Sequence, residues 1–382
     1  MAPNPMVGAV LVFKEKIIGE GYHQKYGQAH AEVNCISSVK EEDKGLITDS
    51  TLYVSLEPCS HYGKTPPCTG LIIQNKIPKV VIGSLDPFNE VDARLNPALN
   101  PVPIRTGVTQ SDKDTIGQGK GIEILKAAGV QVGLASGEME NECKELNKRF
   151  FTFHKEHHPF VILKWAQTAD GKIASPPIPL PKWGGEASGD PESPRLFISN
   201  EYSNRLVHKW RSEEAAILIG TNTALLDDPE LTTRLWPGPS PIRLVVDLDL
   251  KLPSSLKIFN DASPTIIFNT KIHSKESEWT PPSALIKKAG VRYYQVTPDI
   301  SIVFQIINAL YQLKIESVLV EGGARLLQSF IDEGLWDEAR IIKSSELRIL
   351  SGLEAPQLQH AIKIEEQTIL SDTVEIFKYF RG

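Results

Sequence analysis

The residues of this chain best suited to hold a catalytic metal are His30, Cys59 and Cys68. A zinc ion that activates water needs three protein ligands and an open fourth position, and imidazole with two thiolates has the right softness. Glu32, two residues from His30, is placed to move protons without binding the metal. Pro58 precedes the first cysteine, and Ser60–Pro67 separates it from the second, so one ligand loop is longer than in a Cys-x-x-Cys pair. A closed, structural site would need a fourth ligand, for which His61 is the nearest candidate. The adjoining carboxylate favours hydrolytic chemistry instead.

A second set of residues lies far downstream. Val318-Leu-Val-Glu-Gly-Gly-Ala-Arg325 reads as a strand that breaks into glycines before an apolar helix at 326–334. Glycines there let backbone N–H groups approach a phosphate at a helix N-terminus. Ile219-Gly-Thr-Asn-Thr223, Asp227-Asp-Pro-Glu-Leu-Thr232 and Arg234 bring small polar groups, carboxylates and a cation to other strand ends, where α/β domains bind ligands. Arg211 and Arg234 are suited to a phosphorylated sugar through paired hydrogen bonds. No Gly-x-Gly-x-x-Gly is present, so an ordinary dinucleotide-binding domain is not indicated.

The elements that must position these groups follow from apolar runs and turn residues. Residues 7–13 and 17–22 make a hairpin, 30–39 a helix with His30 and Glu32 in its first turn, and 51–56 a strand ending at Glu57-Pro58-Cys59. A helix at 69–75, a strand at 80–83, a helix at 121–128 and a strand at 130–133 complete a layered α/β domain with the metal ligands at strand ends. The prolines and missing period of 92–118 mark an inserted excursion. A charged helix at 141–154 leads onward to a second pattern. There, 160–165 is a strand, 175–194 a surface loop rich in Pro, Gly and Ser, and 200–211 a helix carrying Arg205, His208 and Arg211. Strands and helices alternate from 216 to 320. The expected boundaries are a first domain at 1–140, a linker helix at 141–158 and a second domain at 159–382.

With 382 residues, 41% of them hydrophobic and 23% charged, the chain suits two soluble α/β domains. A net charge of −6 offers no broad basic surface for nucleic acid. Four cysteines, unevenly spaced, suit metal or free thiols in a reducing compartment. The opening residues lack a basic segment leading into an apolar one, and no run of about 18 apolar residues exists. A cytoplasmic location with no membrane partner is expected.

These motifs, in this order, resemble the bifunctional riboflavin-biosynthesis deaminase/reductase family over nearly the whole chain. Asn4-Pro-Met-Val-Gly8, His30-Ala-Glu-Val33, Leu56-Glu-Pro-Cys-Ser-His61 and Gly63-Lys-Thr-Pro-Pro-Cys68 are similar to its deaminase half. The His-x-Glu…Pro-Cys…Cys order is the signature of zinc deaminases. Leu163-Lys164, Asp170-Gly171, Gly220-Thr-Asn-Thr223, Asp227–Thr232, Arg234 and Val320-Glu-Gly-Gly323 are similar to its reductase half. The resemblance implies a cytidine-deaminase-like zinc domain followed by a dihydrofolate-reductase-like domain that uses NADPH. It also implies a small phosphorylated pyrimidine as substrate and a homo-oligomer, dimer or tetramer.

The implied reaction has two steps. Zinc-activated water displaces an amino group of a diaminopyrimidinone bearing a ribosylamino 5-phosphate, with Glu32 carrying the proton. NADPH then reduces the opened ribosyl chain to a ribityl chain. His30, Cys59 and Cys68 would hold the zinc, and Asn4 would hydrogen-bond the substrate. Arg211, Leu231, Arg234 and Glu321 would contact the sugar phosphate or ring. Gln167, Thr223, Asp227 and the run Gly323, Ala324, Arg325, Leu326, Leu327, Gln328 and Ser329 would line the NADPH site, with Lys164 and Asp170 as supports. The sequence departs from the family in the 92–118 insertion and in Arg195-Leu-Phe197, where the family has Ser-x-Trp. It also shows no helix of roughly 20 residues ahead of Asn4, and no evident strand after Trp336-Asp-Glu-Ala339. Two other readings are a zinc deaminase of a nucleoside or tRNA base with a non-catalytic second domain, and a zinc-stabilised scaffold without turnover.

Overall fold

The computed structural model describes residues 5–25, 27–62, 66–87, 120–174, 198–271, 290–349 and 352–381. Asn4, the 92–118 insertion, the whole 175–194 loop and Arg195–Phe197 lie outside them. By contacts the chain forms two compact units, Met1–His157 and His158–Gly382.

The first unit begins with β1 (Gly8–Phe13) and β2 (Lys16–Tyr22), an antiparallel hairpin turning at Lys14, which takes φ +54. Then come α1 (Ala31–Ser37), a 3-10 helix at Glu41–Asp49, β3 (Thr51–Val54), α2 (Cys68–Gln74), β4 (Lys79–Ile82), α3 (Lys120–Ala127) and β5 (Gln131–Leu134). The sheet order is β2-β1-β3-β4-β5, antiparallel at the hairpin edge and parallel from β3 to β5. Leu11, Leu52, Val80 and Ile82 from the strands pack against Cys35, Ile72, Ile122 and Leu125 from the helices. Parallel strands covered in this way leave their C-terminal ends open for a site.

The single helix expected at 141–154 is interrupted. Helices α4 (Glu138–Leu146) and α5 (Lys148–Phe151) run into a π-helical turn at Thr152–Glu156, which closes at His157 in the left-handed conformation. Asn147 causes the break: its side chain accepts the Met6 amide at 2.8 Å and donates to the Met6 carbonyl at 2.9 Å. Asn147 thereby ties this stretch to the residues before β1, and the stretch falls within the first unit.

In the second unit β6 (Phe160–Gln167), β7 (Lys172–Ala174), α6 (Glu201–Glu213), β8 (Ala216–Gly220), α7 (Thr221–Asp227), β9 (Ile242–Val246), β10 (Thr265–Asn269) and β11 (Val291–Gln295) are followed by α8 (Ile302–Gln312), β12 (Ser317–Val320) and α9 (Ala324–Asp332). The chain then forms β13 (Glu338–Ser344), β14 (Leu353–Glu354), β15 (Ala361–Ile369) and β16 (Asp372–Tyr379). Among the described residues the large sheet runs β11-β10-β9-β8-β12-β6-β13-β16-β15, while β7 pairs with β14. Strand β13 is therefore the element the sequence did not reveal after Trp336–Ala339. It lies parallel to β6 and antiparallel to β16. Its alternation is masked because Glu338 and Arg340, two residues apart on one face, are buried as an ion pair at 2.7 Å, with the guanidinium over the Trp210 ring.

Candidate active sites

Strand β3 ends into Leu56-Glu-Pro-Cys59, and α1 begins beside it with His30 as its N-cap residue, so the histidine precedes the first turn and does not lie within it. Residue Cys68 opens α2. The helix starts one residue earlier than the apolar pattern suggests, because Pro67 fixes the extended φ of the N-cap. His30, Cys59 and Cys68 come together with their ligand atoms all within 4.8 Å of one another. His30 Nδ1 lies 3.3 Å from Cys68 Sγ and 3.5 Å from Cys59 Sγ. Donors bound tetrahedrally to one zinc at ordinary bond lengths sit roughly 3.5 Å apart. The donor set and its spacing therefore fit the ion, and His61, exposed, is not part of the group.

The electrostatics of the thiols are those of a pair sharing one proton. The Cys59 thiol is drawn down to about 4, chiefly by a hydrogen bond from Cys68 and despite burial, with His30 assisting. Its sulfur also accepts the Cys68 amide at 3.3 Å. The Cys68 thiol is pushed up by the same bond and by burial, and His30 is raised by its bond to Cys59. A divalent cation would displace the remaining thiol proton. Glu32 is only 3% exposed, and burial raises its carboxyl above the usual range, which favours a group that picks up and returns a proton.

Two supporting residues carried no signal strong enough to be picked out. His23, buried, donates from Nδ1 to the Ala29 carbonyl at 3.0 Å and meets the His30 ring edge-on at 5.6 Å. Glu57, 3% exposed, accepts the Asp86 amide at 3.3 Å and the Gly121 amide at 3.0 Å. It lies inside the Leu56-Glu-Pro-Cys-Ser-His61 motif, and that membership is its signal in the sequence.

In the second unit, α6 and the strand end at Val320 bring Arg211 and Glu321 into a two-pronged ion pair, Nε to Oε1 at 2.8 Å and Nη2 to Oε2 at 2.7 Å. Lys164, from β6, approaches the same carboxylate at 3.8 Å. Burial opposes ionisation of Glu321, but the charges of Arg211 and Lys164 outweigh it and hold the carboxyl at about 2. Lys164 itself is lowered, by burial first. The nearby segment carries Leu231, buried with φ +57, and Arg234, which donates to Glu230 at 2.6 Å and to Thr232 Oγ1 at 3.0 Å. A branched side chain held at positive φ is backbone strain that the surroundings must stabilise.

The double glycine meets α7. A Cβ on Gly322 would lie 2.8 Å from Thr223 Cγ2 and 2.9 Å from its Oγ1, and Gly323 adopts φ +77. Thr223 and the N-terminus of α9 are thus brought together. Ala324, Arg325, Leu326, Gln328 and Ser329 all belong to α9, whereas Leu327 turns into the hydrophobic core at 1% exposure. Its side chain is therefore not available to line a cofactor, because the helix needs an apolar face against the sheet. Gln328 is drawn elsewhere, accepting the Gln357 amide at 2.9 Å, and Ser329 donates to the Arg325 carbonyl. Asp227 is exposed at the end of α7. Gln167, at the end of β6, accepts from Trp165 Nε1 at 2.8 Å. Asp170 takes a hydrogen bond from Thr168 at 2.6 Å and one from the Ile349 amide at 3.2 Å, which holds the turn before β7.

The family model of the cytidine and deoxycytidylate deaminase zinc-binding region matches residues 1–84, and that of the RibD C-terminal domain matches residues 159–346. The riboflavin biosynthesis protein RibD of Aquifex aeolicus is 34% identical over 387 residues, covering 99% of this chain and 93% of its own. That of Escherichia coli is 31% identical, covering 88% and 80%. Among solved structures, a diaminohydroxyphosphoribosylaminopyrimidine deaminase/5-amino-6-(5-phosphoribosylamino)uracil reductase from Thermotoga maritima is similar at 31% identity and a TM-score of 0.73, covering 99% and 93%. RibD of Acinetobacter baumannii gives 27% and 0.74 over the same shares.

Proposed function

The chain belongs to the RibD family of riboflavin biosynthesis proteins, and on that premise we propose that it carries out both family reactions. The first unit deaminates a diaminohydroxyphosphoribosylaminopyrimidine by hydrolysis, and the second reduces the resulting phosphoribosylaminouracil with NADPH. The observation that carries this reading is the convergence of His30, Cys59 and Cys68 beside the buried carboxyl of Glu32. A nucleoside or tRNA deaminase would need only the first unit's chemistry, and leaves the buried Arg211–Glu321–Lys164 cluster without a use.

His30, Cys59 and Cys68 hold zinc, whose chemistry when bound is to make water nucleophilic near neutral pH. Glu32 takes a proton from the attacking water and returns it to the departing amine, so that ammonia leaves neutral. Its raised affinity for a proton suits both halves of that exchange. Asn4 is assigned a hydrogen bond to the substrate on the strength of its motif. In the second unit Arg211, Leu231, Arg234 and Glu321 orient the phosphorylated sugar and ring. Gln167, Thr223, Asp227 and the backbone of Gly323–Ser329 bind NADPH, which supplies hydride. The closeness of Thr223 to the two glycines supports that assignment. Among the described residues no helix is long and apolar enough to cross a membrane. A cytoplasmic homo-oligomer is the form in which we expect the enzyme to act.

Mass spectrometry of the substrate incubated with zinc-loaded protein tests both steps. Deamination raises its mass by about one unit. Reduction adds about two more, and only with NADPH. Absence of the first shift with zinc bound overturns the deaminase reading, and absence of the second overturns the reductase reading.

A further inference from the structure

One face of α6 holds the Leu231–Arg234 segment at two backbone points. His208 Nδ1 accepts the Arg234 amide at 3.0 Å, and Arg211 Nη1, one turn further along, donates to the Thr232 carbonyl at 3.4 Å. The segment has no regular secondary structure of its own, and its buried Leu231 is in the left-handed region. It therefore depends on such outside bonds for its shape. Arg234 is half-exposed and is the charged residue through which this segment, with Leu231, reaches substrate in the proposed reaction. We propose that His208 is a positioning residue for the reductase step, fixing Arg234 for substrate by accepting its amide. This rests on the reading that the second unit is the reductase.

The role demands a neutral imidazole, since Nδ1 accepts from an N–H and so carries no proton itself. The surroundings enforce that state. His208 is 3% exposed. The charged groups acting on it are Arg211 from α6, Arg234 from the segment it holds, Lys164 from β6 and Glu321 after β12, three cations against one anion. Burial, with those cations, brings the imidazole down to about 4.

The test is the steady-state KM and kcat for NADPH-dependent reduction in His208→Leu, which loses the acceptor, and His208→Asn, whose Oδ1 can take the place of Nδ1. Loss of one hydrogen bond predicts a KM about tenfold higher for the leucine variant, with kcat changed less than about threefold. The asparagine variant should stay within about threefold of the parent. In an Arg234→Ala background the leucine change should have no further effect on KM, because His208 acts through Arg234. Equal KM in parent and leucine variant, equal impairment of both variants, or additive effects with Arg234→Ala would each overturn the proposal while leaving the reductase reading intact. A parent chain that forms no NADPH-dependent product would overturn both.

Discussion

Gly121 presents its amide to Glu57 at 3.0 Å, and a Cβ at that glycine would lie 2.5 Å from the carbonyl oxygen of Pro58. The start of α3 thus packs directly on the turn that delivers Cys59, with the second oxygen of Glu57 taken by Asp86 beyond β4. Three elements meet on one buried carboxylate, behind a metal ligand. Glu57→Gln replaces one acceptor with a donor facing an N–H. It should cost about 1–3 kcal/mol of stability in the first unit and speed zinc loss to a chelator. Gly121→Ala should act in the same direction through the clash. Unchanged zinc release in both variants would rule out this support.

Glu32→Gln removes the proton carrier and leaves the three donors in place. Zinc content should stay at the parent level, while ammonia release falls by about two to four orders of magnitude. A rate within tenfold of the parent would assign the proton transfer to another group.

All six tryptophans lie beyond residue 158, so their fluorescence follows the second unit during unfolding of the whole chain. Glu321→Gln leaves Arg211 and Lys164 as buried cations without their counter-charge. Breaking such a pair costs about 3–5 kcal/mol. The tryptophan transition should move to lower denaturant by that amount, and NADPH-dependent reduction should fail. An unmoved transition would show that solvent screens the cluster.

Acid should weaken the second unit through two groups, His208 in an upper stage and Glu321 in a lower one. Glu316, which burial raises to about 7, works against them as pH falls from 7 to 4.5. His208 has a folded value of about 4, below its ordinary 6.5, so its neutral form stabilises fully above pH 6.5 and that contribution is lost as pH falls toward 4. Glu321, at about 2 against an ordinary 4.5, contributes fully above pH 4.5 and is lost as pH falls toward 2. Relative to the parent, His208→Asn should lose less tryptophan-reported stability, or gain some, as pH falls from 6.5 to 4, and should leave the lower stage unchanged. An unchanged slope in that variant would locate the upper stage elsewhere.

Gly322→Ala should disturb the contact of the double glycine with Thr223. Its Cβ would meet both branches of that side chain and Ile219 Cγ2 at 3.2 Å. The expected result is a higher KM for NADPH. Trimming Thr223 to alanine in the same chain should recover part of the stability lost, a coupling read by a double-mutant cycle. Additive losses would show that the clash is not with Thr223.

Spacing made the metal ligands legible, because His30, Glu32 and Pro58-Cys59 are local motifs at the ends of apolar runs. The parallel strands of the second unit were legible for the same reason, as short continuous stretches such as Ala216–Gly220. Other elements have no such pattern. The 3-10 helix at Glu41–Asp49 is mostly polar, with Ile47 its buried apolar residue. Strand β15 is exposed along nearly its whole length and so shows no apolar face, and β13 buries charges where an alternation would show apolar residues. His208 was visible as a helix residue beside Arg211. Its role depends on Arg234, 26 positions away, and no spacing rule connects them.

The two amides on Glu57 also have a meaning for building with this chain. Asp86 and Gly121 donate to opposite oxygens of a single side chain, so Pro87 and Lys120, which flank the joining sequence, are held close together. Loop-closure entropy grows only slowly with length. A reporter domain or affinity tag grafted between those flanks would therefore have its two ends anchored side by side, close to the turn that delivers Cys59.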